Sequence, residues 1–205
     1  MRKPKLRELG EAVRALAAGP YTSGFPAEPI EPPENFRGKP AFQPDGCVGC
    51  AACVEVCPAG AIAVTDRAVA PPLRHLEVRL DQCIFCGQCE LNCLTQSGIR
   101  LTREFDLATL DRSAARESVD KELVLCEQCG IPVATREHLL FLAEEVGSLA
   151  YSNPALMLAR DEALGLVQYT EPAYGEVAQR ADAMKVLCPE CRRAVVARDV
   201  FGPVD

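Results

Sequence analysis

The chain has 205 residues, a formal net charge of −7, 5% aromatic residues and no Trp. That length suits one or two domains, and the acidic balance argues against nucleic-acid binding by bulk electrostatics. No apolar run approaches the roughly 20 residues that span a bilayer, and twelve cysteines beside so few aromatics point to small domains held by metals or disulfides.

Residues 1–18 predict an amphipathic helix, because Leu6, Leu9, Val13 and Leu16 recur at spacings of three and four. Arg2, Lys3, Lys5, Arg7 and Arg14 make it locally basic, and Gly19-Pro20 ends it. Two placements stay open: packing on its own domain or a partner, or lying at a membrane surface. Met1–Gly10 is charged and has no apolar core of a signal peptide, so a reducing, cytoplasmic setting is expected. There, cysteines only two residues apart suit metal chelation better than disulfides.

Residues 20–44 hold seven prolines, including Pro26, Pro29, Pro32 and Pro33. They prevent a helix and predict an extended strap with no core of its own. With the first helix, the strap forms an N-terminal segment, 1–44.

Residues 45–102 form an internal repeat. Cys47, Cys50, Cys53 and Cys57 follow a Cys-x2-Cys-x2-Cys-x3-Cys pattern, repeated 36 positions later by Cys83, Cys86, Cys89 and Cys93. Each half predicts a loop, a helical turn and a short strand related by a pseudo-two-fold. Val78–Leu80 and Ile99–Leu101 are two of the strands, and Asp66–His75 is a surface excursion between the halves.

Residues 103–122 are charged and predict a helical connector. In 123–205, two similar knuckles, each a short strand followed by Cys-x2-Cys, carry Cys126/Cys129 and Cys188/Cys191. Between them, His138–Val146 and Ala155–Leu166 are apolar at helical spacing and predict a helical insert.

The eight repeat cysteines have the spacing of bacterial two-cluster ferredoxins, in which the fourth cysteine of each run serves the other 4Fe–4S cluster. On that resemblance, cluster one takes Cys47, Cys50, Cys53 and Cys93, and cluster two takes Cys83, Cys86, Cys89 and Cys57. The crossing ties the halves together and keeps the clusters close enough for electron hopping. Pro58 follows Cys57, but Leu94 follows Cys93. The Leu94 N–H is expected to reach a cluster sulfur and raise the potential of cluster one. Cys126, Cys129, Cys188 and Cys191 make a closed tetrathiolate set for Zn(II) or a single Fe, with structural zinc favoured. His75, in the excursion, and His138, on a helix, read as ordinary residues. No glycine fingerprint for a dinucleotide and no phosphate loop is present. The sequence therefore predicts electron transfer with no catalytic residues of its own.

Phe25–Ile30, Asn35–Pro40, Cys47–Cys53 and Cys83–Cys89 resemble the two-cluster iron–sulfur subunit of the complex I and membrane-bound NiFe hydrogenase superfamily. The C-terminal tetracysteine set places the likeness nearest the formate hydrogenlyase iron–sulfur subunit. The resemblance implies an α+β chain: a 2×4Fe–4S ferredoxin-like fold with an N-terminal helix and strap, plus zinc-ribbon or rubredoxin-like knuckles. It also implies a peripheral location on the inner face of the cell membrane, with NiFe hydrogenase small and large subunits, membrane subunits and a ferredoxin-like donor subunit as partners. It gives added weight to the membrane-adjacent placement of residues 1–18. The competing expectation is a redox-sensing or partner-binding module outside any such complex, and a third is a free ferredoxin, which the residues beyond the repeat disfavour.

Overall fold

The computed structural model describes residues 5–20, 24–166 and 185–201. Contacts divide the chain into two compact units, Met1–Phe36 and Arg37–Asp205.

The first unit carries helix α1 (Leu6–Ala18), at the place the apolar spacing predicts. The Lys5 N–H donates to Glu8 Oε2 at 2.9 Å, satisfying one of the orphan donors at the helix start. Gly19 ends the helix at φ 77°. Leu6, Leu9, Val13 and Leu16 are all exposed. Arg2 and Lys3 of the predicted basic helix lie outside the described residues.

The second unit begins in the strap. β1 (Pro40–Phe42) pairs antiparallel with β4 (Ile99–Leu101), with Phe42 opposite Ile99. Phe42 is buried in the same core as Ile99. The end of the strap therefore has a core, contrary to the expectation: a three-residue strand after Pro40 needs no N–H from the proline's own position. Between them run α2 (Ala52–Glu55), β2 (Ile62–Arg67), β3 (Leu73–Arg79) and α3 (Gln88–Leu91). β2 and β3 form a hairpin with Ile62 opposite Val78 and Arg67 opposite Leu73. The predicted excursion Asp66–His75 thus shrinks to the hairpin tip around Pro71-Pro72, and His75 lies on β3.

The pseudo-two-fold is written in the backbone. Gly49 (φ 69°) and Ala51 (φ 64°) are left-handed in the first cysteine loop, and Phe85 (φ 53°) and Gly87 (φ 79°) are left-handed at the same places in the second. Each loop must turn twice to bring three thiols to one side, whichever residue occupies the turn.

The predicted helical connector is instead a short 3₁₀ turn (Arg112–Ala114) and a ten-residue strand, β5 (Arg116–Leu125). Its charges mask a period of two: Val119, Lys121 and Leu123 face inward and alternate with exposed polar residues. β5 pairs with β3, Leu76 opposite Val119, and then with β6 (Pro132–Thr135), Leu123 opposite Thr135. A four-stranded sheet, β2-β3-β5-β6, results.

β5 supplies both cores of the unit. Val119 joins Phe42, Ile62, Leu76, Val78 and Ile99 around the repeat. Val124 joins a second cluster with Leu139 and Ala143 of α4 (Arg136–Val146) and Leu156 of α5 (Pro154–Ala163). The two predicted insert helices are these, with α5 closing three residues earlier than expected, at Leu164-Gly165. α6 (Pro189–Phe201) closes the described chain. Leu76 and Val78 are 1% and 0% exposed, each contributing about 1.5–3 kcal/mol by burial.

Candidate metal centres

Cys47, Cys50, Cys53 and Cys93 line one cavity of about 310 Å³, counting its part open to solvent, with Phe42, Leu76 and Ile99 among the apolar walls. The cysteines come from the first loop, α2 and the segment after α3, so the fourth thiol arrives from the other half of the repeat. Gly98 closes the approach: a Cβ there would stand 3.0 Å from Cys47 Cα and 3.2 Å from Cys93 Sγ. Burial raises the Cys53 thiol to about 12, and neighbouring Cys47, Cys50 and Cys89 add to this. Burial likewise raises Cys47, opposed by the Gly49 amide and the Lys121 ammonium.

Cys93 goes the other way. Burial pushes it up, but the Thr95 hydroxyl and the amides of Gly98, Thr95 and Ile99 outweigh burial and lower it. The Gly98 N–H reaches Cys93 Sγ at 3.3 Å and Thr95 Oγ1 lies 3.5 Å from it. These donors stand just beyond Leu94, whose N–H was the expected one. On the other half, the Ala61 N–H donates to Cys57 Sγ at 3.3 Å. Cys57 and Cys93 thus each receive an amide, and Cys93 has the richer set.

The second set gathers in the same way. Cys83 is raised by burial and, after the opposing Phe85 amide, by the nearness of Cys57 and Cys86. Cys89 is raised to about 11 by burial, with Cys83 and Cys86 as charged neighbours. The Phe85 N–H donates to Cys83 Sγ at 3.4 Å. Cysteines gathered this closely, with Cys47, Cys53, Cys83 and Cys89 raised, suit a cationic iron core, since ligation removes the protons and offsets the mutual repulsion of thiolates. Both sets fit a 4Fe–4S cluster on this ground, and the amides directed at sulfur suit it as well.

The first loop is held by residues absent from the predicted site. The Thr135 hydroxyl donates to Val48 O, Lys121 Nζ donates to Pro44 O at 2.6 Å, and Arg74 Nη1 donates to Gly49 O at 2.9 Å. No sequence signal marked these contacts, because the segment that carries Lys121 read as a charged helical connector.

Sulfur atoms of Cys126, Cys129, Cys188 and Cys191 all lie within 4.8 Å of one another. That spacing fits one tetrahedral ion, whose 2.3 Å bonds to sulfur set thiolates roughly 3.8 Å apart, and is too tight for a four-iron cube. Cys126 and Cys129 occupy the turn between β5 and β6, where the Cys126 N–H donates to Ile131 O and the Gly130 N–H to Cys126 O. The other pair departs from the expected strand: Cys188 precedes α6 and Cys191 lies in its first turn. The Cys191 N–H donates to Cys188 Sγ at 3.4 Å, while burial and the neighbouring cysteines push the Cys191 thiol up. Glu127 lashes the pairs together, its N–H donating to Val186 O and its Oε1 accepting from the Val186 N–H. Burial raises Cys126, but hydrogen bonds from the Cys188, Cys129 and Gln128 backbone bring it down to about 7.

Neither histidine joins a site. His75 Nδ1 lies 2.7 Å from Asp120 Oδ1 across β3 and β5, and His138 is partly buried on α4. Among the described residues no helix is long and apolar enough to cross a membrane.

The 4Fe–4S dicluster domain family matches residues 33–97. Formate hydrogenlyase subunit 6 of Escherichia coli is 31% identical over 180 residues, 88% of this chain and 86% of that protein. NAD(P)H-quinone oxidoreductase subunit I of Gloeobacter violaceus is 34% identical over 109 residues, 51% of each chain. A chain of the membrane-bound sulfane sulfur reductase, an archaeal respiratory membrane complex, aligns at a TM-score of 0.40 and 27% identity over 55% of this chain and 60% of that one. The chain therefore belongs to the dicluster iron–sulfur family that includes formate hydrogenlyase subunit 6 and the subunit I of the quinone oxidoreductases.

Proposed function

We propose that the chain is an electron-transfer subunit of a membrane-associated, hydrogenase-type oxidoreductase complex, with no substrate site of its own. The observation that supports this best is that Cys93 of the second run lines one cavity with Cys47, Cys50 and Cys53 of the first, with Cys57 near Cys83, in a chain that matches the dicluster family. Cys47, Cys50, Cys53 and Cys93 hold cluster one; Cys83, Cys86, Cys89 and Cys57 hold cluster two. The clusters, when bound, supply one-electron redox chemistry. The protein's part is to fix eight thiolates, direct amides of Ala61, Phe85 and Gly98 at their sulfurs, and wall cluster one with Phe42, Leu76 and Ile99.

Electrons pass between a ferredoxin-like donor subunit and the small hydrogenase subunit, and the chain sits on the cytoplasmic side of the cell membrane. The exposed apolar stripe and basic residues of α1 support a place for it against a membrane or a membrane subunit. Cys126, Cys129, Cys188 and Cys191 hold a single Zn(II) or Fe in a rubredoxin-like or zinc-ribbon-like knuckle pair. The close packing of their sulfurs supports one ion, and the closed set supports a structural role.

Metal analysis and EPR of the reduced protein, purified anaerobically from detergent-solubilised membranes, test the proposal. About eight Fe with one Zn, or about nine Fe, is expected, together with copurifying NiFe hydrogenase subunits. A lone soluble species with one cluster would overturn it.

A further inference from the structure

Among the described residues, two buried side chains are polar or charged: Thr135, 0% exposed, and Lys121, 9% exposed. Both press on the Cys47–Cys50 loop. A Cβ on Gly49 would stand 3.2 Å from Cβ and Cγ of Lys121 and 2.8 Å from Cγ2 of Thr135. Thr135 needs no explanation beyond its hydrogen bond to Val48. Lys121 does, because a buried ammonium is costly and a neutral donor would tether Pro44 equally well.

We propose that Lys121 is a potential-setting residue: its fixed positive charge, held against the Cys47–Cys50 loop, raises the reduction potential of cluster one. The inference rests on the ligand assignment proposed above. Reduction brings one electron to the cluster from an external donor; no bond forms and no proton moves. The added negative charge is stabilised by a cation in poorly solvated surroundings, where the attraction is far stronger than in water.

The neighbouring charges single out Lys121. Its carboxylate partner, Glu137 Oε1, is 3.4 Å away on a side chain 40% exposed, against 10% for Lys121. Glu137 Oε2 is itself buried without a hydrogen-bond partner, so the carboxylate offsets part of the ammonium's charge, though only across this single 3.4 Å contact. Arg74 also touches the loop, but Asp66 grips its guanidinium at 2.7 Å through both Nε and Nη2, and that contact offsets its charge. In the second loop Arg37 donates to Cys86 O at 3.3 Å from an exposed position, where solvent weakens its reach.

The test is an EPR-monitored titration of the purified full-length holoprotein with dithionite, in the wild type and in Lys121→Met, Lys121→Arg and Glu137→Gln. Cys50→Ser identifies which signal belongs to cluster one. Lys121→Met is expected to make cluster one about tenfold harder to reduce, a fall of about 59 mV, with cluster two unmoved. Glu137→Gln removes the opposing charge and shifts cluster one upward, while Lys121→Arg stays near wild type. A tether to Pro44 alone produces no such pair of opposite shifts. An unmoved or raised cluster one midpoint in Lys121→Met, or a downward shift in Glu137→Gln, overturns the inference. Should Lys121→Met not fold, the direction of the Glu137→Gln shift decides. A wild-type protein without two 4Fe–4S signals would overturn the ligand assignment and this inference together.

Discussion

The hydroxyl of Thr135 donates to the carbonyl oxygen of Val48, 87 positions earlier. Thr135 closes the β5–β6 hairpin, and Val48 lies between the first two cysteines of the repeat. The strand pair that carries Cys126 and Cys129 at its turn therefore clamps the Cys47–Cys50 loop at its other end. Removing the donor leaves a buried carbonyl unpaired, which costs about 1–3 kcal/mol. Thr135→Val keeps the shape and should lower the anaerobic urea midpoint of the holoprotein by that equivalent, while Thr135→Ser should recover most of it. Equal losses in the two variants would show that packing, not the hydrogen bond, matters there.

Gly49 is needed for closeness more than for its left-handed φ, because Phe85 adopts the same conformation at the matching place in the second loop. The atom a Cβ would meet first is Thr135 Cγ2, at 2.8 Å. Gly49→Ala should destabilise the holoprotein by about 1–3 kcal/mol through overpacking and backbone strain. Serine at position 135 lacks that methyl, so Gly49→Ala combined with Thr135→Ser should be less destabilised than the two single effects sum to. Strict additivity in the double variant would count against the close approach.

The repeat and the third cysteine set rest on separate cores, one built around Leu76 and Val78 and the other around Val124 and Leu139. Cys188→Ser should therefore lose the single ion and retain about eight Fe. Cys83→Ser should perturb cluster two and stop electron flow while the single ion stays bound. Elemental analysis of both purified variants reads this directly. Loss of the third metal from Cys83→Ser would mean that β5 couples the two cores strongly enough to make them one folding unit.

The two runs of four cysteines were legible from spacing alone because each run is a short, local loop; the nearness of Cys93 to Cys47, Cys50 and Cys53 is shown by the structure. The pairing of Pro40–Phe42 with Ile99–Leu101 was not legible, since nothing local to a proline-rich strap marks a partner some 60 residues away. β5 was hidden for a different reason. Its polar alternates are acidic and basic, as on a solvated helix, and its inward Lys121 interrupts the apolar face that would have revealed a period of two. The residue that obscured the strand is also the one whose side chain presses on the Cys47–Cys50 loop. The second cysteine pair looked like a copy of the first in sequence, yet Pro189 starts a helix there, at the position where proline is best tolerated.

His138 offers a pH test of the second core. Burial first, and then the nearby Arg74 guanidinium, lower its pKa from the ordinary 6.5. The folded state thus favours the neutral ring, and the unfolded chain binds more protons in the window just below 6.5. Stability then rises with pH across that window, and the contribution of the neutral ring is fully present above 6.5 and lost as pH falls below it. Urea midpoints of the holoprotein between about pH 5.5 and 7.5 should show this slope. His138→Gln, which cannot titrate, should flatten it while leaving the metal content unchanged. A slope of the same size in His138→Gln would assign the effect to other groups, since the glutamine removes the imidazole proton and little of the side-chain volume.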